Sequence, residues 1–296
     1  MDKSIFSKVR RIQIKTSKMV TEIFSGEYRS IFKGRGMEFE EVREYQPGDD
    51  IRSIDWNVTA RMNKPFIKLF SEERELTVMF LVDVSSSMSF GSNKMTKKEL
   101  IAELCAVLSF TAIKNNDKVG VILFSDHIEK YIPPAKGKKH VLRVIRELLT
   151  IKDEGSYANS GTDLNGALEY LQKVIRKKSV CFIVSDFFCK GYEKNIAIAK
   201  KRHDLVVIKV EDRLEHAFPK SALVALEDLE NNEQLIVDFS SQSSVQIFQE
   251  YTASIRNKVI SFFKTKGIDF LIIKTDEDYL KKLTEFFRVR ERRVRR

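Results

Sequence analysis

Short continuous apolar runs, alternating with stretches of helical periodicity, constrain this chain more than any other feature. Leu76 to Val84 (LTVMFLVDV), Lys118 to Phe124 (KVGVILF), Val180 to Ser185, Leu205 to Val210 (LVVIKV) and Ile268 to Ile273 have strand length and little polar alternation. That is the pattern of strands buried on both faces. Between them, apolar residues recur at helical spacing: at 100, 104, 107 and 108, over Val141 to Leu149, from Leu164 to Ile175, over Tyr192 to Lys201 and from Tyr279 to Phe287. Repeated strand–helix units predict an α/β fold, a doubly wound, mostly parallel sheet with helices on both faces. Ile128 to Ile132 reads as a short antiparallel return that Pro133-Pro134 ends. After Val210 the rhythm breaks. Leu223–Leu226 and Leu235–Phe239 around Asn231-Asn232 read as a hairpin, and 243–264 as a long helix with Phe248, Tyr251, Ile255, Val259 and Phe262 on one side.

Residues 1–75 lack such runs. They are polar and turn-rich, with a strong turn signal at Pro47-Gly48-Asp49-Asp50. This segment is expected to pack on the main domain as an irregular or short-stranded layer. The net charge of +10 is concentrated at the two ends: +6 over residues 1–36 and +5 over 288–296 (RVRERRVRR), leaving −1 for the rest. Such ends suit a solvated surface, or contact with nucleic acid, anionic lipid or an acidic protein. No apolar run approaches membrane-spanning length, and the first residues carry no apolar signal segment. Three cysteines, Cys105, Cys181 and Cys189, form no CxxC pair. This pattern suits a reducing cytoplasm and gives no thiolate zinc site.

The chemistry-bearing signal is Asp83-Val84-Ser85-Ser86-Ser87, directly after the first buried strand. An Asp or Ser there can simply cap the next helix. Two further segments add weight: Gly161-Thr162-Asp163 before the helix at 164, and Ser185-Asp186 ending a second buried strand. In a doubly wound sheet both strands flank the point where the winding reverses, where ligands bind. Asp83 and Asp186 would then be neighbours, and two bare carboxylates about 4 Å apart repel by roughly 4 kcal/mol at an effective dielectric of 20. A divalent cation removes that cost. Oxygen-only ligands suit magnesium or manganese. No GxSxG, GxxxxGK[ST] or GxGxxG is present, and His127, His140, His203 and His216 are scattered. A nucleophilic or nucleotide-binding enzyme is therefore not expected.

The set Asp83-x-Ser85-x-Ser87, Thr162 and Asp186 resembles the metal-ion-dependent adhesion site of von Willebrand factor type A domains, over about residues 76–287. The resemblance implies direct metal contacts from Ser85, Ser87 and Thr162, with Asp83 and Asp186 acting through water. The block 229–265 looks like an elaboration of that fold, and 288–296 like a basic tail. Gly34-Arg35-Gly36-Met37-Glu38-Phe39, Arg43 to Trp56 (REYQPGDDIRSIDW), Ala60-Arg61 and Glu72-Glu73-Arg74-Glu75 closely resemble the bacterial family called domain of unknown function 58. That resemblance implies a role beside a MoxR-type AAA+ ATPase in the assembly or activation of client proteins. The metal site adds an open position for an acidic side chain of the client, so a non-enzymatic interaction module is expected. The charged string around Trp56 can form a paired network that fixes this segment, or a docking face using Arg52, Trp56 and Arg61. The other functional reading is nucleic-acid or anionic-membrane binding through the basic ends.

Overall fold

A computed structural model describes residues 9–13, 38–71, 75–92, 95–150, 161–215, 223–227 and 234–294. The features at Gly34-Arg35-Gly36, Glu72-Glu73-Arg74, His216, Asn231-Asn232 and most of 1–36 lie outside the described residues. The chain divides into two compact units, residues 32–76 and the remainder.

The larger unit is built on a six-stranded sheet. Its strands are β3 (Thr77–Asp83), β4 (Lys118–Phe124), β5 (Ile128–Ala135), β6 (Val180–Ser185), β7 (Asp204–Glu211) and β10 (Asp269–Lys274), in the spatial order β10-β7-β6-β3-β4-β5. All neighbours run parallel except β5, which pairs antiparallel with β4. This is the doubly wound, mostly parallel arrangement expected from the apolar runs. The strand β5 passes through Pro133 and Pro134 instead of ending before them. It can do so because it is an edge strand, and its register against β4 slips between Val119 and Val121. Gly120 makes the slip possible: a Cβ there would lie 2.7 Å from the Met79 sulfur and 3.0 Å from the Pro134 nitrogen.

Helices cover both faces. α4 (Leu164–Val174), α5 (Glu193–Arg202) and α6 (Gln242–Thr265) share one core with Met79, Leu81, Cys181, Ile183 and Val207. α2 (Lys97–Lys114), α3 (Lys138–Thr150) and α7 (Tyr279–Val294) belong to the opposite face, where α2 packs on α3 and Glu103 of α2 accepts a 2.6 Å hydrogen bond from the Tyr279 hydroxyl. The helix α2 is more deeply buried than its apolar stripe suggests, with every residue from Leu100 to Ala112 out of solvent. Within the block 229–265, the structure describes residues 234–265. Its helix α6 supplies the crossover that two parallel strands, β7 and β10, require. Its buried positions are Val259 and Phe263, whereas Tyr251 is exposed. Phe263 stacks on Phe270 at 5.1 Å and meets Phe187 edge-on at 5.3 Å. β8 (Leu223–Glu227) and β9 (Gln234–Asp238) form the separate antiparallel pair read from the sequence.

Residues 288–294 are not a free tail but the last turns of α7. Arg290 is buried because Asp204 and Asp269 lie beside it, at 2.5 and 3.2 Å, and Arg293 also pairs with Asp269 at 2.8 Å. Among the described residues, no helix is long and apolar enough to cross a membrane.

In the smaller unit, β1 (Glu38–Glu44) and β2 (Phe66–Ser71) pair antiparallel. A 3-10 turn at Ile51–Ser53 and the short helix α1 (Trp56–Met62) lie between them. Asp55 caps α1 through the Asn57 and Val58 amides, and Arg43 grips Asp49 with both terminal nitrogens, at 2.9 and 2.7 Å. Arg290→Ala should cost about 1–2 kcal/mol, since it removes the buried guanidinium from part-exposed Asp204 while Arg293 still holds Asp269, and exposed Arg292→Ala should stay within about 0.5 kcal/mol, both read from urea unfolding.

Candidate metal centre at the carboxyl edge of the sheet

The register of β3 and β6 sets the site. Val82 pairs with Val184, so Asp83 and Ser185 end their strands side by side, and Asp186 follows. Asp83 Oδ1 accepts from the Ser85 amide at 3.0 Å and the Ser85 hydroxyl at 2.6 Å. Its Oδ2 accepts from the Ser185 hydroxyl at 2.6 Å. The Ser85 and Ser87 hydroxyls are 3.2 Å apart, and Ser87 helps to hold the Asp186 carboxyl down. Asp83, Ser85 and Ser87 thus form one bonded group with Asp186 beside it, and Asp83, Ser85 and Asp186 are each 1% exposed. Thr162 is half-buried on the neighbouring segment 161–163. The amide of Asp163 donates to Ser125 O at 2.6 Å, just beyond β4, and its carboxylate caps α4 through Gly166. The hydrogen bonds that join Asp83, Ser85 and Ser87 do not include Thr162.

The turn after β6 is held by local chemistry. Phe187 adopts a left-handed conformation at φ 58°, a costly one for a bulky side chain. Its burial against Tyr192 and Phe263 compensates. The turn lets Asp186 Oδ1 accept from the Phe188 amide at 3.2 Å, while the Phe187 amide donates to the Ser185 hydroxyl at 3.0 Å.

Charge compensation comes from residues the sequence reading did not select. Lys97, the first residue of α2, is 1% exposed and bridges Asp186 Oδ2 at 2.8 Å and Glu215 Oε1 at 2.5 Å. Lys209 of β7 donates to the main-chain oxygen of Asp186. Burial, then the charge of Asp186, pushes the Asp83 carboxyl up to about 7. Burial also opposes the charge of Asp186, but Lys97 and Lys209 outweigh it and hold that carboxyl below its usual range. Burial alone would lower Lys97; Asp186 and Glu215 hold it above the usual lysine value. Only Lys209, a charge inside the apolar run LVVIKV, carried a sequence signal. Nothing in the local pattern marks Lys97 or Glu215.

The carboxylate and hydroxyl donors of Asp83, Ser85, Ser87 and Asp186 suit a hard divalent cation such as magnesium or manganese. Lys97, on one oxygen of Asp186, is a competing positive charge. Elsewhere, Arg52, Trp56 and Arg61 are all exposed on the smaller unit, Trp56 by 68%. His203 is not a surface residue: it is buried beside Ser179 at 2.9 Å, and burial lowers it to about 4. Cys105 and Cys181 are core thiols raised by burial, Cys181 to about 12. His127 sits between Asp126 and Glu129 in the exposed turn after β4, at 2.6 and 3.3 Å.

The family model described as protein of unknown function DUF58 matches residues 41–258. The chain belongs to this family. An uncharacterised protein of Mycobacterium tuberculosis is 26% identical to this DUF58 chain over 98% of it and 91% of the relative. Among solved structures, BatB from Bacteroides thetaiotaomicron is similar at 14% identity, covering 73% of this chain and 99% of that one, with a TM-score of 0.46. The SpRpn10 VWA domain is similar at 14% identity, over 71% and 94%, with a TM-score of 0.38.

The raised Asp83 carboxyl stabilises the DUF58 fold fully below the ordinary carboxylate value, and this contribution is lost as pH rises through about 7. His203, lowered to about 4, acts oppositely: its contribution is present above 6.5 and lost as pH falls toward 4. Asp83→Asn removes the first and keeps the second. In chelator, urea-unfolding stability should then rise with pH between 4 and 7 more steeply than in the wild type, by about 1 kcal/mol per unit.

Proposed function

We propose that this edge is a divalent-metal-dependent protein-interaction site that captures an acidic side chain of a partner. The observation that carries the reading is the convergence of Asp83, Ser85, Ser87 and Asp186, oxygen donors at the ends of two adjacent parallel strands and buried except for half-buried Ser87, where the direction of winding reverses. Ser85, Ser87 and Thr162 would hold Mg2+ or Mn2+, with Asp83 and Asp186 behind them. A bound ion supplies an open coordination position for a carboxylate.

The chain's own residues supply the rest. Ser185 and the Ser85 amide orient Asp83, and the Phe188 amide orients Asp186. Phe90 and Phe188, 38% and 41% exposed, follow directly on the two ligand segments and offer apolar contact beside the charge. Among the described residues, the bonded group contains no histidine or thiol, which favours binding over turnover. In this reading a MoxR-type AAA+ ATPase supplies the energy for acting on the client, and the DUF58 chain supplies recognition.

Capture of a client from cell extract should be strong in magnesium and fall at least about tenfold in chelator or with Asp83→Ala, the scale of one lost charged contact. Equal capture under all three conditions rejects the reading.

A further inference from the structure

We propose that Lys97 is a resident counter-cation of this site, so that a divalent ion binds only in competition with it. The proposal rests on reading the edge as a metal site and adds how that site is regulated. Lys97 occupies a position where a lysine is otherwise unfavourable. It is the first residue of α2, directly after the Thr96 cap, where the helix dipole repels positive charge. Its side chain is 1% exposed. Two carboxylates from separate segments compensate both costs: Asp186 after β6, and Glu215 in the 3-10 turn Arg213–Glu215 after β7.

These two acceptors are not equivalent. Asp186 belongs to the group of oxygens that would face the ion. Glu215 does not; its second oxygen is held by the Asp212 amide at 3.0 Å. Lys97 can therefore release Asp186 and keep Glu215, without leaving a lone buried ammonium. The ammonium of Lys209 is close as well, donating to the Asp186 main chain and lying 4.9 Å from the Phe188 ring centroid. These carboxylates are thus already supplied with positive charge by the chain itself. Divalent affinity is held low by that competition.

The test uses the full chain with Mn2+ as probe, reading affinity by calorimetry and thermal unfolding with and without the ion. Lys97→Gln keeps a hydrogen-bond donor and removes the charge. It should bind Mn2+ about ten- to a hundredfold more tightly than the wild type and show a larger Mn2+-induced rise in Tm. Glu215→Gln, which keeps Lys97 and removes its alternative acceptor, should bind more weakly than the wild type; it decides the matter if Lys97→Gln does not fold. Equal Mn2+ affinity in the wild type and whichever variants fold overturns the role of Lys97 and leaves the metal site standing. Absence of Mn2+ binding in all of them overturns both.

Discussion

Two buried carboxylates, Asp83 and Asp186, lie beside each other at the carboxyl edge of the sheet, and like charges out of water must be compensated. The surrounding structure is organised by that need. Two serine hydroxyls and two main-chain amides donate to them, Lys97 pairs with Asp186, and Lys209 donates to its main chain. These groups come from the segment after β3, from β6 and the turn that follows it, from β7 and from the start of α2, so the edge joins those elements into one electrostatic unit. The two carboxyls respond in opposite directions: Asp83 is easily protonated, whereas Asp186 stays charged against its ammonium partner. A site with one adaptable and one permanent charge suits a ligand that brings positive charge to it.

Beneath this edge the core is apolar. Rings at Phe187, Tyr192, Phe263 and Phe270 pack together where β6 turns into α5. This packing sustains the left-handed Phe187 and so fixes where Asp186 points. The neighbouring buried cluster at the end of β7 is satisfied separately. Arg256 holds Glu211 at 2.9 Å, while Ser92 and Thr275 donate to Asp212. These acids therefore do not draw Lys97 or Lys209 away from Asp186, although Lys209 lies 3.7 Å from Glu211.

Much of the fold was legible because parallel strands buried on both faces must be continuously apolar, a local pattern that survives in the chain order. The strands at 77–83, 118–124, 180–185 and 204–211 lie where their apolar runs lie. The continuation of β5 through two prolines was not legible, because edge position is a property of the sheet and not of the strand. The same holds for α7: RVRERRVRR reads as a solvated tail until Asp204 and Asp269, distant in sequence, appear beside Arg290. In α6 the apolar stripe was visible, but which part of it meets the sheet depended on where β10 lies.

At the candidate site the division is similar. The sequence by itself determined which oxygens are available, since Asp83, Ser85, Ser87 and Asp186 follow directly on strand ends whose parallel pairing places them at one edge. Tertiary structure alone decided their charge state and what opposes a cation. Lys97 and Glu215 are 118 positions apart and carry no local pattern. Electrostatic compensation acts through space over a few ångströms, and only the completed sheet, with α2 packed across it, brings those charges within reach.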